Sequence, residues 1–468
     1  MKKHNLLKVV LFSILVLCLC TWIFPTGSYS GEFVIGDKAQ IGLFDFTSYP
    51  MIIFSYFGYV AFYILCVGVL YGVLSKIPAY RKLLDKIADG FKYHETVFLA
   101  ITIVLISIIT SVTGLSIGIA FLFPFIISIV LLMGYNKVVA ALVTVGSAAI
   151  GYMGTTLGYE GVQYFYSVLS SDLTIWSEIG TKAIILVIGI ILLLFNTLKY
   201  AQNTKKKTTG EIVNDLLPEE VKDEKKKIRI WPLVVVIDVL LVLVIMGLIP
   251  WETLEITIFS DALTSIQEYT LFDFPILSKL LGNVYPFGSW SLYNELPAIM
   301  LVAAAILGFI YLKLDQFLDG IIIGIKKAVV PAFIMSLAYL ALIITTNHGF
   351  QLVFVDNIMG LTKNLNVLTT SFVAFFTSIF NVESAYVAQR ILPYMAGTIT
   401  TAELYPLIGI IFQSMYGLTM LVAPTSIVLL GTLSYLDISY TNWLKNVWKL
   451  FLEILVVLLV IFIIVLAI

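Results

Sequence analysis

Four groups of small polar residues interrupt stretches of the sequence that are otherwise apolar. Hydroxyl and amide side chains, together with the backbone carbonyls that a broken helix exposes, can hold a desolvated ion or a small polar solute. The pattern therefore predicts a binding site for a substrate or an ion, without catalytic residues. The candidate residues are Thr110, Ser111, Thr113, Ser116, Gly154, Thr155, Thr156, Asn381, Glu383, Ser384, Thr425 and Ser426.

Close packing of membrane helices is the alternative explanation for these residues. Serine, threonine and glycine are small and line helix contacts throughout membrane interiors, so packing is the simpler explanation for any single threonine. Their concentration in four short breaks favours a binding site. We predict no metal site among these residues other than one for Na⁺ at the tips of the two hairpins described below.

The clearest of the breaks is Ala423-Pro424-Thr425-Ser426. Proline lacks an amide hydrogen and clashes with the preceding turn, so carbonyls near Met420 and Leu421 should lose their helical partners. Hydrocarbon cannot satisfy such carbonyls, and a break at membrane depth must be buried in protein or line a cavity. We therefore predict that this segment forms part of the site; a simple proline kink is the alternative.

Glu383 is an acid within an apolar stretch, and burying it in hydrocarbon costs at least ~2.5 kcal/mol on insertion scales. It must therefore be paired, protonated or functional. Arg390 follows seven residues later, two turns along the same face of a helix, and is a candidate charge partner. Alternatively, Glu383 could bind Na⁺, a proton or a cationic substrate group, and Arg390 a substrate carboxylate. Asp238 is a second acid in an apolar stretch, without an obvious partner.

The elements that must position these residues are membrane helices. Apolar residues make up 60% of the 468-residue chain and charged residues 12%, which is typical of an all-α polytopic membrane protein. A net charge of −1, with no basic face carrying interleaved aromatics, argues against a nucleic-acid partner. The sequence has no H-E-x-x-H, G-x-S-x-G or P-loop motif, so we expect neither an enzyme nor a cofactor.

Apolar windows long enough to cross a membrane occur along the whole chain. They lie at about 6–24, 50–74, 138–157, 180–198, 232–249, 297–314, 329–345, 404–422 and 450–468. Two further stretches, 96–133 and 366–395, are interrupted by the polar groups at Thr110 to Gly114 and Phe380 to Ser384. We interpret both as re-entrant hairpins that enter and leave on one side, with their tips inside the membrane.

The distribution of positive charge supports this layout. With the amino terminus in the cytoplasm, all but five of the 28 lysines and arginines fall in cytoplasmic segments. The exceptions are Lys38, Lys182, Lys279, Lys363 and Arg390.

In this arrangement, a hairpin followed by a broken helix occurs twice, in opposite orientations. Such inverted repeats, with binding where discontinuous helices meet, are typical of secondary transporters. The predicted units are a first membrane repeat, 1–198, with hairpin 96–133 and broken helix 138–168; a charged cytoplasmic linker, 199–231; and a second membrane repeat, 232–468, with an outer interfacial region 250–295, hairpin 366–395 and broken helix 404–436.

Two blocks of sequence carry a family resemblance: Ala423-Pro424-Thr425-Ser426 and Tyr440-Thr441-Asn442-Trp443-Leu444-Lys445. With the order of the apolar blocks, they resemble the YfcC/DcuC-type carriers of the ion transporter superfamily, which include anaerobic four-carbon dicarboxylate carriers. The resemblance implies ion- or exchange-coupled transport of carboxylates or amino acids. It also implies an elevator-type architecture, with both hairpins in a mobile transport domain, and a scaffold that commonly forms a homodimer.

The sequence thus predicts a secondary active transporter in a bacterial plasma membrane, moving a small carboxylate or amino acid by Na⁺ or H⁺ coupling or by exchange. A basic amino-acid antiporter is the alternative, favoured if Glu383 rather than Arg390 faces the cavity. A channel or membrane sensor is a more distant alternative. The expected partners are a small-molecule substrate and membrane lipids.

Overall fold

The computed structural model describes residues 2–115, 117–158, 164–205, 217–218, 228–291, 294–362, 365–399 and 401–467. Within these ranges the chain is helical apart from one short antiparallel hairpin, β1 (Gly27–Tyr29) paired with β2 (Phe33–Ile35). Seven helices are long and apolar enough to cross a membrane. They are α1 (Lys2–Ile23), α2 (Asp45–Lys76), α4 (Glu95–Thr113), α7 (Ile179–Lys205), α8 (Trp231–Leu248), α12 (Leu314–His348) and α18 (Tyr440–Ala467).

Shorter helices fill the intervening sequence. Apolar ones are α5 (Gly118–Leu132), which begins with a 3₁₀ turn, α6 (Lys137–Met153), α11 (Glu295–Tyr311), α14 (Val367–Ile379) and α17 (Ile427–Leu436). The others are α3 (Pro78–Gly90), α9 (Ile258–Glu268), α10 (Ile276–Leu281), α13 (Gln351–Met359), α15 (Ser384–Thr398) and α16 (Tyr405–Thr419).

The two longest helices, α2 and α12, form the most extensive helix pair of the described chain. Their backbones meet directly at glycines: a Cβ added to Gly72 would clash with the carbonyl oxygen of Gly320, and one added to Gly324 with that of Gly68. Small residues at a contact allow this close approach, which increases the dispersion attraction between helices. Helix α11 packs against α2, and α1 and α17 pack against α12.

The sequence suggests a separate cytoplasmic helix over 313–327, followed by a span at 329–345. The structure corrects this, because both belong to the single helix α12, which continues through Pro331. A proline inside a helix removes one amide donor, and membrane helices tolerate that loss when neighbouring helices pack around it. Pro331 is itself buried.

The first hairpin breaks later than predicted. Thr110, Ser111 and Thr113 all lie inside α4, which ends at Gly114 in the left-handed conformation (φ 71°). Thr113 donates its hydroxyl to the carbonyl oxygen of Ile109, one turn earlier, at 2.8 Å. Because such a bond satisfies a hydroxyl without breaking the helix, a run of threonine and serine does not end it, whereas glycine readily adopts a positive φ.

The other predicted breaks lie close to their expected positions. The chain leaves helical conformation after Met153, between α14 and α15 at 380–383, and between α16 and α17 at 420–426. The interfacial region 250–295 contains the two short helices α9 and α10, and these have no buried residues. The predicted linker begins inside α7, which continues to Lys205, and positions 206–216 and 219–227 lie outside the described residues. Pro218 accepts a hydrogen bond from Arg81 at 2.9 Å.

Candidate functional site

The break between α16 and α17 is held by the first turns of α18. Trp443 donates its indole N–H to the carbonyl oxygen of Leu421 at 2.7 Å, and Tyr440 donates its hydroxyl to that of Val422. These are carbonyls in the turn preceding Pro424, so the protein supplies the donors that a continuous helix would have supplied. The break is therefore buried and fixed.

Thr425 and Ser426 use their hydroxyls at the same break. Thr425 donates to the carbonyl oxygen of Ile379 at 2.7 Å, at the end of α14, and thereby joins the second broken helix to the second hairpin. Ser426 is the N-cap of α17, where its hydroxyl accepts from the amide of Leu429 at 3.4 Å. Both side chains are buried.

Ser111 fulfils a similar role in the first half. Its hydroxyl donates to the carbonyl oxygen of Gly154 at 2.8 Å and lies 3.1 Å from that of Thr156. Its own carbonyl oxygen accepts from the amide of Thr156 at 3.0 Å. The hydroxyl of Thr155 donates to the carbonyl oxygen of Tyr152, three residues earlier, at 2.7 Å. These candidates join the end of α4 to the segment that follows α6.

The two broken helices meet where α6 ends against α16. Gln413 donates its side-chain amide to the carbonyl oxygen of Thr155 at 3.0 Å, and Ser414 donates to that of Met153 at 3.1 Å. A Cβ on Gly417 would lie 2.5 Å from the Cα of Met153, so the helices touch through backbone. Sequence reasoning missed Gln413 and Ser414, although an adjacent polar pair inside an apolar helix was a signal.

A cavity of about 370 Å³ opens between the breaks and the α2–α12 pair. Among the candidates, Asn381, Glu383, Ser384, Thr425 and Ser426 line it. From the first half, Gly114, Leu115 and Ile117 line it instead. The remaining first-half candidates, Thr110, Ser111, Thr113, Gly154, Thr155 and Thr156, are not among its lining residues, and Ser116 lies outside the described residues.

Six tyrosines contribute to the described lining of this cavity. Tyr152 donates to the hydroxyl of Ser384 at 2.5 Å, and Tyr416 donates to the carbonyl oxygen of Val382 at 2.6 Å. Further tyrosines in the lining are Tyr59, Tyr164, Tyr339 and Tyr386. The sequence offered no signal for them, because a tyrosine in an apolar helix resembles any other core aromatic residue.

Glu383 accepts hydrogen bonds from both long helices. Its Oε1 accepts from the hydroxyl of Tyr339 in α12 at 2.7 Å and from that of Tyr59 in α2 at 3.2 Å. Because Glu383 is the N-cap of α15, with extended backbone (φ −124°, ψ 133°), it is not on the helical face of Arg390. The structure therefore contradicts the pairing of Glu383 with Arg390 that the sequence suggested. The two side chains form no ion pair, and Arg390 does not line the cavity.

The described lining of the cavity carries charge of one sign. It contains one carboxyl group, that of Glu383, and no lysine, arginine or histidine. Within the described ranges, no group of three or more His, Cys, Asp and Glu side chains could hold a metal ion. The site therefore combines hydroxyls, amides and carbonyls with a single negative charge.

Asn381 is fixed from behind the hairpin tip. Its side-chain amide donates to the carbonyl oxygen of Thr377 at 2.8 Å and to the side chain of Gln351 at 3.2 Å, while its oxygen accepts from Thr345 at 3.3 Å.

Asp238, the second acid within an apolar stretch, lies away from this cavity and is exposed on the surface of α8.

Comparisons with known proteins give a family match and a likeness to solved structures. The family model described as DcuC, C4-dicarboxylate anaerobic carrier, matches residues 4–468. Among solved structures, the YdaH transporter of Alcanivorax borkumensis, reported to have an unusual topology, is similar, with a TM-score of 0.41 and 13% identity over 98% of this chain and 97% of that chain. No curated protein sequence gives a significant match.

Proposed function

Since the chain belongs to the DcuC family of C4-dicarboxylate anaerobic carriers, we propose that it is a secondary active transporter of a small carboxylate or amino acid. Transport is coupled to Na⁺ or H⁺ or proceeds by exchange. The observation that carries this proposal is the cavity where Ser384, Thr425 and Ser426 meet. Breaks that line a cavity rather than face lipid are the usual position of a transporter's site.

The size and lining of the cavity support a small polar substrate. Its volume of about 370 Å³ lies at the lower end of the range of small-molecule sites. Hydroxyls of tyrosine, serine and threonine can donate to a carboxylate, and Asn381 is also among the lining residues.

We propose an elevator-type movement for the two hairpins and broken helices. The mobile unit comprises 96–168 and 366–436, arranged as two inverted repeats, and the α2–α12 pair belongs to the scaffold. Two observations support this division. The tips and broken helices bond to one another through Thr425 and Gln413, and the cavity lies between them and α2 and α12.

A basic amino-acid antiporter is the second candidate, and a specific observation favours it. The family description names C4-dicarboxylates, which are dianions, yet the described lining holds the Glu383 carboxyl and no basic side chain. A substrate with an ammonium group would pair with Glu383, whereas a dianion would be repelled by it.

The proposed setting is a bacterial plasma membrane, with a cytoplasmic amino terminus and two copies per assembly. Asp238 supports a homodimer, because its carboxyl is exposed on α8, a helix long and apolar enough to span the membrane. An acid facing lipid is costly, and a second copy of the chain would cover it.

Transport by the purified protein in liposomes tests the proposal. Labelled succinate and L-arginine serve as a dicarboxylate and a basic amino-acid probe, with and without sodium. A carrier gives saturable uptake that is stimulated by the same compound inside the vesicles. Unsaturable flux would indicate a channel instead, and the absence of transport with retained binding would indicate a sensor.

The variant Glu383→Gln distinguishes the two substrate classes. Loss of L-arginine transport with retained succinate transport would select the antiporter. Thermal-shift measurements with the same two compounds provide a check independent of transport, since a ligand that binds the folded state raises its stability.

A further inference from the structure

Glu383 connects two parts of the molecule that the proposed function sets in relative motion. It lies at the tip between α14 and α15, but both of its hydrogen-bond donors, Tyr59 and Tyr339, belong to α2 and α12. Both hydrogen bonds to the carboxylate therefore come from the proposed scaffold and not from its own unit.

The other titratable and charged groups around Glu383 do not neutralise it. Tyr416 faces the cavity from α16, Tyr152 from α6, Tyr164 from the segment between α6 and α7, and Tyr386 from α15 itself, and all four are phenols. Arg390 lies further along α15, outside the lining. In the part of the chain that the structure describes, the charged form of Glu383 thus depends on hydroxyl donors.

Movement of the tip away from α2 and α12 would remove both donors at once. A carboxylate that loses its hydrogen-bond donors in apolar surroundings is strongly destabilised unless its charge is neutralised. Its neutral acid form needs far less solvation, so a proton can replace the two donors. The carboxyl would then alternate between a charged form bonded to the scaffold and a protonated form free of it.

We propose that Glu383 carries the coupling proton of the transport cycle, binding it from cavity water as the tip leaves Tyr59 and Tyr339 and releasing it when their hydroxyls again donate to Oε1. This inference depends on the transport function proposed above and names the coupling ion of that site. A proton needs only a carboxylate oxygen, whereas a Na⁺ ion would need further oxygen ligands around the same carboxyl once both hydroxyls have left it.

The decisive experiment compares two modes of succinate transport in Glu383→Gln; L-arginine is left out because Glu383 would itself bind that substrate in the antiporter. Glutamine resembles the protonated acid, so exchange of labelled for unlabelled probe at equal pH should persist. Accumulation driven by a pH gradient should fall at least tenfold, and a pH dye inside the vesicles should report no proton movement with substrate. Gradient-driven accumulation at the wild-type level, or wild-type transport without proton movement, would overturn the proposal.

A second variant decides the matter if Glu383→Gln is misfolded or inactive. Tyr339→Phe removes the donor of the shorter of the two hydrogen bonds to Glu383. That bond favours the charged form of Glu383, so its loss favours the protonated form. The pH of half-maximal transport should therefore rise, by about one unit. Tyr386→Phe, which removes a hydroxyl from the same cavity but not one bonded to Glu383, should keep the wild-type pH profile. An unshifted profile in Tyr339→Phe would refute the proposal.

Failure of the underlying transport function has a separate signature. In that case, the wild-type protein itself shows no saturable exchange of either probe. Failure of the proton assignment instead leaves wild-type exchange intact.

Discussion

The indole N–H of Trp443 donates to the carbonyl oxygen of Leu421 at 2.7 Å, across 22 residues of sequence. In a continuous helix this carbonyl would accept from the amide of Thr425, and the break around Pro424 removes that bond. The Tyr440-to-Lys445 block and the Ala423-to-Ser426 block thus form one structural unit, with the donors in one and the acceptors in the other. This geometry explains why the two blocks occur together in one sequence.

Trp443→Phe should destabilise the protein, because it leaves the buried carbonyl of Leu421 without a donor. The expected loss is about 1–3 kcal/mol, the usual penalty for an unsatisfied buried polar group. Thermal unfolding in detergent measures it. Trp448→Phe is the matched control in the same helix, since Trp448 is 56% exposed whereas Trp443 is fully buried. An equal change in both variants would contradict the assigned role.

Gln413→Leu should weaken the contact between the two broken helices. It removes the donor to the carbonyl oxygen of Thr155 while keeping a side chain of similar size. We expect a stability loss of about 1–3 kcal/mol together with slower transport, since the crossing of α6 and α16 borders the cavity. Ser414→Ala removes a comparable bond, to Met153, and should behave similarly. Unchanged stability in both variants would show that this contact contributes little.

Gly324→Val should disrupt the α2–α12 pair, because any Cβ at this position clashes with the backbone of Gly68. Adding a side chain to a well-packed contact typically lowers the free energy of unfolding by about 1–3 kcal/mol. Here the new side chain would meet backbone atoms, which can move little to make room for it. A fall in the yield of monodisperse protein and in unfolding temperature would measure the effect. Gly90→Ala is the control, as its Cβ would meet nothing within 4 Å. Wild-type stability in Gly324→Val would mean that the helices separate easily.

Glu383→Gln and Arg390→Gln should have additive effects on stability. The two side chains form no ion pair in the structure, so a double-mutant cycle should give a coupling energy within about 0.5 kcal/mol of zero. Thermal unfolding of the wild type, both single variants and the double variant provides the measurement. A coupling energy well above that value would restore the ion pair that the sequence suggested.

Ser384→Cys should react with a membrane-impermeant thiol reagent from either side of the membrane. Replacing Cys18, Cys20 and Cys66 with serine gives the background for this test. Because Ser384 lines the cavity, substrate should slow its labelling from both sides. Ser265→Cys, in exposed helix α9, is the control and should label from one side only, whatever the substrate. Labelling of Ser384→Cys from a single side in all conditions would exclude alternating access.

Residues that act through the backbone were largely predictable from the sequence. Pro424 predicted a break and orphaned carbonyls, and Leu421 and Val422 do rely on donors from elsewhere. Thr113 misled, because its hydroxyl bonds backward to the carbonyl oxygen of Ile109 within the helix, and its residue type alone does not distinguish a break from a continuous turn.

Residues that act through distant contacts were not predictable. Whether Glu383 meets Arg390 or two tyrosines depends on how the hairpin tip packs against α2 and α12, which no local pattern encodes. Tyr59 lies 324 residues from Glu383 in the sequence, and Tyr339 lies 44. Gln413 was visible as a polar residue, but its acceptor, 258 residues earlier, was not.

The glycine contact between α2 and α12 also fixes how these helices can shift along each other. The facing glycines recur at a spacing of four residues, so sliding one helix by a full turn, about 5.4 Å, would force side chains between the touching backbones. Piston-like displacement within the pair is therefore blocked. Helices α2 and α12 keep a fixed register, and any movement of neighbouring helices takes place relative to this pair.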